Sequence, residues 1–208
     1  LNNDTIELTK IKPNLFGIID PIDVEKEIRH NTSLISIMYA NNEIGSINNI
    51  KEIGDIAHKH NIPLHTDAVQ IFGKLRINLK SNNIDAISVS FHKLYSPTGI
   101  GMMVISNDLI NGYELESIIN GSQQYKLRGG TESVPQIAGA IKGMQENFKD
   151  RNIKNKKLLS FRNTFIDELN QYISFTYLHY YLKHIEERVR YLHTNQFYFL
   201  LSYASPDQ

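Results

Sequence analysis

The stretch "VSFHKLYSPTGIG", residues 89–101, decides how this chain is read. An apolar, β-branched run over residues 84–89 leads into it, and a second apolar run over residues 101–105 leaves it. Runs of this length bounded by turn residues predict two buried strands. Between them stand Ser90, His92 and Lys93, followed by a Pro-Thr-Gly turn. A lysine at the mouth of a buried strand has two readings. One is an ordinary solvated surface lysine. The other is an amine held partly desolvated on a rigid element, as a lysine needs to be to form a Schiff base with an aldehyde.

Upstream, the pattern alternates between strand and helix. Residues 34–39 read as a buried strand. Residues 48–60 carry Ile50, Ile53, Ile56 and Ala57 at helical spacing, with Asn49 at the N-cap position and Glu52 completing a capping box. Pro63 ends that pattern, residues 63–66 read as the next strand, and residues 67–70 as a loop. Strand, helix, strand predicts an α/β fold with a mainly parallel sheet flanked by helices. In such sheets functional groups gather beyond the C-terminal ends of the strands. Asn42, Asp67 and Lys93 each stand a few residues past a predicted strand end.

Downstream, residues 134–148 place Ile137, Ile141, Met144 and Phe148 on one helical face, and residues 152–173 read as a further helix. The basic stretch 151–157 reads as a solvated connection at a domain boundary. That divides the chain into residues 1–150 and residues 151–208. From about residue 174 the character changes to a tail crowded with aromatics and without clear turns.

Composition narrows the function. The 208 residues hold 22 basic and 22 acidic side chains, a formal net charge of zero, which argues against nucleic acid or a membrane surface as partner. No apolar run approaches the roughly 20 residues that cross a bilayer. Residues 1–10 lack the pattern of a signal peptide, so a soluble, cytoplasmic protein is expected. There is no cysteine, which excludes disulfides, cysteine metal sites and a thiol nucleophile within these residues. His58 and His60 are two apart on a predicted helix and do not share a face, so no metal site is expected. The chain starts at Leu1 rather than Met, which reads as a fragment.

Each polar residue carries two readings. Asp67 is a helix cap or the partner that keeps a pyridine nitrogen protonated. Gln70 could hydrogen-bond that ring's phenolic oxygen. Ser90 and His92 are a satisfied polar loop or donors to a phosphate. Asn42, in "YANNEIGSI", is loop chemistry or a contact to cofactor or substrate. In "LRGGTESVPQ", Arg128, two glycines and Thr131 are an ordinary turn or an anion cradle before a helix.

Taken together, "YANNEIGSI", "IPLHTDAVQIFGKLRIN", "DAISVSFHKLYSPTGIGMMVI" and "LRGGTESVPQIAGA" resemble, in order and spacing, the NifS-like cysteine desulfurases of the class V aminotransferase superfamily. The resemblance spans residues 35–144. It implies an aminotransferase-type large domain with pyridoxal 5′-phosphate as cofactor. By that likeness Lys93 is the Schiff-base lysine and Asp67 pairs with the pyridine nitrogen. Gln70 and Asn42 lie on the phenolic side, Asn42 reaching toward the substrate, and Ser90 and His92 bind the phosphate. Thr131 matches a threonine that reaches the phosphate of the partner subunit, which implies a homodimer with shared sites. The implied activity is sulfur transfer from L-cysteine, giving L-alanine, with a sulfur-acceptor protein as a further partner. The family's N-terminal phosphate loop and ring-stacking histidine, its mobile cysteine and its substrate-binding arginine find no match. The expectation is therefore an incomplete large domain followed by a divergent, helical C-terminal part, truncated and inactive alone. The alternative is a non-catalytic remnant serving as a binding or dimerisation module.

Overall fold

Three short segments of alternating side chains form the centre of the sheet in the computed structural model, which describes residues 6–113, 115–172 and 199–203. They are β2 (Thr32–Met38), β3 (Leu64–Asp67) and β4 (Ala86–Ser90), paired in parallel. Ile35, Ile37, Leu64, Thr66, Ile87 and Val89 alternate with Ser36, Met38, His65, Asp67, Ser88 and Ser90 along these strands. The period of two sends the first set to one face, where it is buried, and the second set to the other, where it stays partly open.

Three more strands complete the sheet: β1 (Ile6–Lys10), β5 (Gly101–Ile105) and β6 (Phe199–Tyr203), in the order β1-β6-β2-β3-β4-β5. β5 runs antiparallel to β4, and β6 antiparallel to both β1 and β2. The fold class expected from the sequence is the one observed: an α/β arrangement with a parallel centre and flanking helices.

Helices cover the apolar face. α1 (Pro21–Lys26) is capped by Asp20, whose carboxylate accepts from the Ile22 N–H at 2.9 Å. α2 (Ile50–Lys59) starts at Asn49, as its sequence predicts. The Glu52 N–H donates to Asn49 Oδ1 at 3.4 Å, and Asn49 Nδ2 donates back to Glu52 Oε2 at 2.7 Å, so the capping box closes between side chains. Ile50, Ile53 and Ala57 are buried in one cluster with Ile35, Leu64 and Ile87. Asn61, at φ +56°, turns the chain out of the helix ahead of Pro63.

One buried polar residue ties this layer to the sheet. Asn48 is only 4% exposed. Its Oδ1 accepts from the Ile19 N–H at 2.8 Å, its Nδ2 donates to the Met38 carbonyl at 2.7 Å, and its own N–H donates to the Tyr39 carbonyl. Asn48→Ala strands one donor and one acceptor away from water. The expected loss is about 2–4 kcal/mol, since each orphaned buried group costs roughly 1–3 kcal/mol. Urea unfolding should show a lower midpoint at unchanged slope; an unmoved midpoint contradicts this account.

After β5 come α3 (Asn107–Gly112), α4 (Val134–Lys149) and α5 (Arg151–Tyr172). The stretch 151–157 is helical, as the reading of residues 152–173 expects, is mostly exposed, and follows α4 after the single residue Asp150. No glycine or proline interrupts residues 149–172, and long basic side chains keep their charges in water while their backbone stays helical. The aromatic tail from residue 174 lies outside the described residues except for β6, a strand that the expected helical tail did not include.

Candidate active site

Adjacent parallel strands bring two chain segments to one edge of the sheet. Asp67 is the last residue of β3 and faces Ser88 of β4 in register. Its backbone carbonyl accepts from the Tyr39 N–H at 2.9 Å, which ties the end of β3 to the end of β2. The Asp67 side chain closes an Asx turn: Oδ1 accepts from the Val69 N–H at 2.9 Å. Oδ2 makes no hydrogen bond among the described residues. Asp67 is thus a cap through one oxygen and an open acceptor through the other.

The loop that follows carries Gln70 and Lys74. It passes close to the next elements at Gly73, whose φ is +78°. A Cβ there would lie 2.4 Å from Leu94 Cδ2 and 2.6 Å from Asn147 Oδ1, so this crossing requires glycine. Lys74 Nζ donates to Gln70 Oε1 at 3.3 Å. That engages the amide oxygen and leaves the amide NH₂ as the donor of this side chain. Lys74 remains largely open to solvent. Even so, partial desolvation, and then the like charge of Lys93, hold its pKa below the usual lysine value. Lys74 and Lys93 are therefore electrostatic neighbours.

At the end of β4 the chain enters a 3-10 turn, Phe91–Leu94. Phe91 and Leu94 point inward against Ala140 and Met144 of α4, and His92 and Lys93 point out. Ser90 Oγ and His92 Nδ1 are 2.7 Å apart. Tyr95, at φ +61°, ends the turn. Lys93 is exposed, so the partial desolvation expected of it is not met. Lys93 stands in the turn beyond the end of β4 rather than on the strand itself.

Two expected residues stand further out. Asn42 is exposed on the loop after β2, where Asn41 Oδ1 accepts from the Glu43 and Ile44 N–H groups. It shares the C-terminal edge with Asp67 but makes no hydrogen bond to the other candidates among the described residues. Thr131 is exposed in the loop before α4 and likewise makes none. Among the described residues there is no group of three or more His, Cys, Asp or Glu that could hold a metal ion. His60 instead lies 3.4 Å from Glu25 on the surface.

Sequence reading passed over His65. Its ring spans three strands, with Nδ1 2.8 Å from Ser36 Oγ on β2 and Nε2 2.9 Å from Ser88 Oγ on β4. The signal was present in "LHTD": a strand period of two puts His65 and Asp67 on the same face. Burial pushes the His65 pKa below its ordinary 6.5, and the Asp67 carboxylate opposes that more weakly. The unfolded chain therefore takes up this proton at a higher pH than the folded one. Stability from this group is complete above about pH 6.5 and falls as pH drops below it. Unfolding midpoints between pH 7 and pH 5 should decline less steeply for His65→Asn than for the parent chain. Parallel slopes would show that His65 protonates equally in both states.

A carboxylate with one open oxygen, an amide NH₂, a hydroxyl–imidazole pair and two amines thus share one sheet edge. This set suits a ligand with a cationic ring nitrogen, an anionic group and an aldehyde. The model of the aminotransferase class-V family matches residues 1–183. Cysteine desulfurase IscS of Dictyoglomus turgidum is 38% identical over 173 residues, covering 83% of this chain and 43% of the relative. A solved NifS-like protein superposes with a TM-score of 0.71 at 31% identity, covering 76% of this chain and 43% of that one. The structure of SspA in complex with cysteine gives a TM-score of 0.63 at 42% identity, over 66% of this chain and 39% of that one. The chain spans less than half the length of each of these relatives.

Proposed function

We propose that this chain, which belongs to the class-V aminotransferase family, carries the lysine-bearing part of a pyridoxal 5′-phosphate site of the cysteine desulfurase kind. Class-V aminotransferases and cysteine desulfurases are pyridoxal phosphate enzymes by family. The observation that carries the reading is the Asp67 carboxylate. One oxygen is pinned by the Val69 N–H and the other is open, on the strand beside the one that ends in Ser90 and leads into the turn bearing His92 and Lys93.

The residues present fit that cofactor. When bound, pyridoxal phosphate supplies an electron sink that stabilises negative charge beside the substrate nitrogen. Asp67 Oδ2 accepts a hydrogen bond from a protonated ring nitrogen and holds the proton there. The Gln70 NH₂, whose amide oxygen is engaged by Lys74, donates to the phenolic oxygen. The Ser90–His92 pair donates to a phosphate oxygen, through His92 Nε2–H when the Ser90 hydroxyl donates to Nδ1, or through the hydroxyl when Nδ1–H donates to it. Lys93 supplies the amine for the aldehyde and a group that carries a proton at Nζ. Asn42 flanks the phenolic side, and Thr131 serves the phosphate of a partner subunit in a homodimer.

The same reading takes cysteine as the substrate of the whole protein, with a protein as sulfur acceptor and the cytoplasm as its location. It divides the chain near residue 150, with the cofactor-binding part before it and the start of a smaller domain after it. None of the described helices is long and apolar enough to cross a membrane. A second reading, a non-catalytic binding or dimerisation module, is favoured by one observation: these 208 residues hold no cysteine to receive sulfur.

Cofactor titration followed by visible absorbance tests the reading. The parent chain should shift the visible absorbance of the free cofactor to that of a protein-bound Schiff base, and the shift should saturate. Asp67→Ala should bind on the order of tenfold to a hundredfold more weakly, since a charge-assisted hydrogen bond contributes roughly 1.5–3 kcal/mol. Equal affinity and an equal band in both proteins would reduce Asp67 to a turn cap.

A further inference from the structure

His65 has no part in the ligand contacts above, yet its surroundings are more fully built than those of any other candidate side chain. Both ring nitrogens are engaged, by Ser36 Oγ at 2.8 Å and Ser88 Oγ at 2.9 Å. The two serines belong to the strands on either side, so one imidazole bridges β2, β3 and β4 on the open face of the sheet. The bridge lies one pleat before the site: Asp67 follows His65 by two residues and Ser90 follows Ser88 by two. A hydroxyl donates or accepts equally well, so both bonds can form whichever nitrogen carries the proton. The groups facing the ring across the neighbouring strands are these two uncharged hydroxyls, and Asp67 on its own strand is the charged group whose field reaches it.

We propose that His65 is a positioning residue for Asp67: clamped between Ser36 and Ser88 as a neutral ring, it braces the three strand ends and leaves the Asp67 charge undivided for a cationic ring nitrogen. Protonated, the same ring would place a competing cation one pleat below the carboxylate. Loss of the ring would let the ends of β3 and β4 shift against each other. The role of Asp67 toward the cofactor rests on the function proposed above; the coupling of the two side chains does not.

Two measurements separate these layers. The first needs no cofactor. Carbon-13 detection of the Asp67 carboxyl during a pH titration should show a second inflection, at the pH where the His65 ring nitrogens titrate, and that inflection should vanish in His65→Asn. An Asp67 signal blind to His65 protonation overturns the inference, whether or not any cofactor binds. The second measurement is a double-mutant cycle on pyridoxal phosphate affinity. His65→Asn should weaken binding about tenfold in the parent background and less than twofold in Asp67→Ala, because His65 acts through Asp67. Equal losses in both backgrounds would mean a purely architectural role and also overturn it. Ser88→Ala, a milder change, should give a smaller loss with the same dependence on Asp67 and stands in if His65→Asn fails to fold. No saturable cofactor band in the parent chain would count against the proposed function, with the carboxyl titration still deciding the coupling.

Discussion

Borohydride added to the chain equilibrated with pyridoxal phosphate is expected to fix the cofactor on Lys93, and Lys93→Ala to remove essentially all of the label at equal cofactor concentration. The nearest competitor makes this a demanding test. Partial desolvation lowers the Lys74 pKa, and the nearby charge of Lys93 lowers it further. A depressed amine has more of its neutral, nucleophilic form, so Lys74 is the competitor to be tested. Position decides for Lys93 instead. It leaves a 3-10 turn anchored by buried Phe91 and Leu94, beside the Ser90–His92 pair, whereas the Lys74 ammonium is turned back onto the Gln70 amide. Peptide mapping of the reduced protein should therefore find the tag in the peptide containing Lys93, and Lys74→Met should leave it there. A tag on Lys74 with Lys93 unmodified would overturn the assignment.

The parts of this arrangement that were legible in the sequence share a local cause. β2, β3, β4 and β5 are short apolar runs with turn residues on either side. α2 announces itself through Asn49, Glu52 and the spacing of Ile50, Ile53 and Ala57. α4 does so through Ile137, Ile141 and Met144. What was not legible depends on partners far along the chain. The direction of β5 leaves no mark on its side-chain pattern, because a strand alternates in the same way whichever way its neighbour runs. β1, "IELTK", is largely exposed and reads as a polar segment until β6, almost two hundred residues later, pairs with it. α1 and α3, six residues each, are too short to show a helical period.

The same division holds within the site. Asn42, Asp67 and Lys93 stood out in the sequence because each follows a predicted strand end. His65 was missed although it stands two residues from Asp67, because its importance lies in Ser36 and Ser88, which only the parallel register brings to either side of it. The exposure of Lys93 was misjudged for a related reason. The apolar run before it says that the strand is buried, but the turn after it decides which way the side chain leaves.

Incubated with L-cysteine and pyridoxal phosphate, the purified 208-residue chain is expected to release sulfide and form alanine only at the rate of a cofactor-only control. The reason is the chemistry of sulfur acceptance. In the route implied by the family resemblance, a thiolate attacks the substrate sulfur. A sulfur–sulfur bond forms as the carbon–sulfur bond breaks, and the sulfur stays on the protein as a persulfide. Thiolate is the nucleophile such a step needs. These residues contain none, and neither the Ser90 hydroxyl nor the His92 imidazole forms a stable bond of that kind. The exposed Lys93 amine adds a second obstacle, since bulk water competes for every polar contact at an uncovered edge. Binding of cofactor and loss of turnover are therefore separable. The absorbance band can appear, and Lys93 can be labelled, while sulfide stays at background. Sulfide from cysteine well above the control, abolished by Lys93→Ala, would show that this part of the chain transfers sulfur without a thiol of its own and would overturn the prediction.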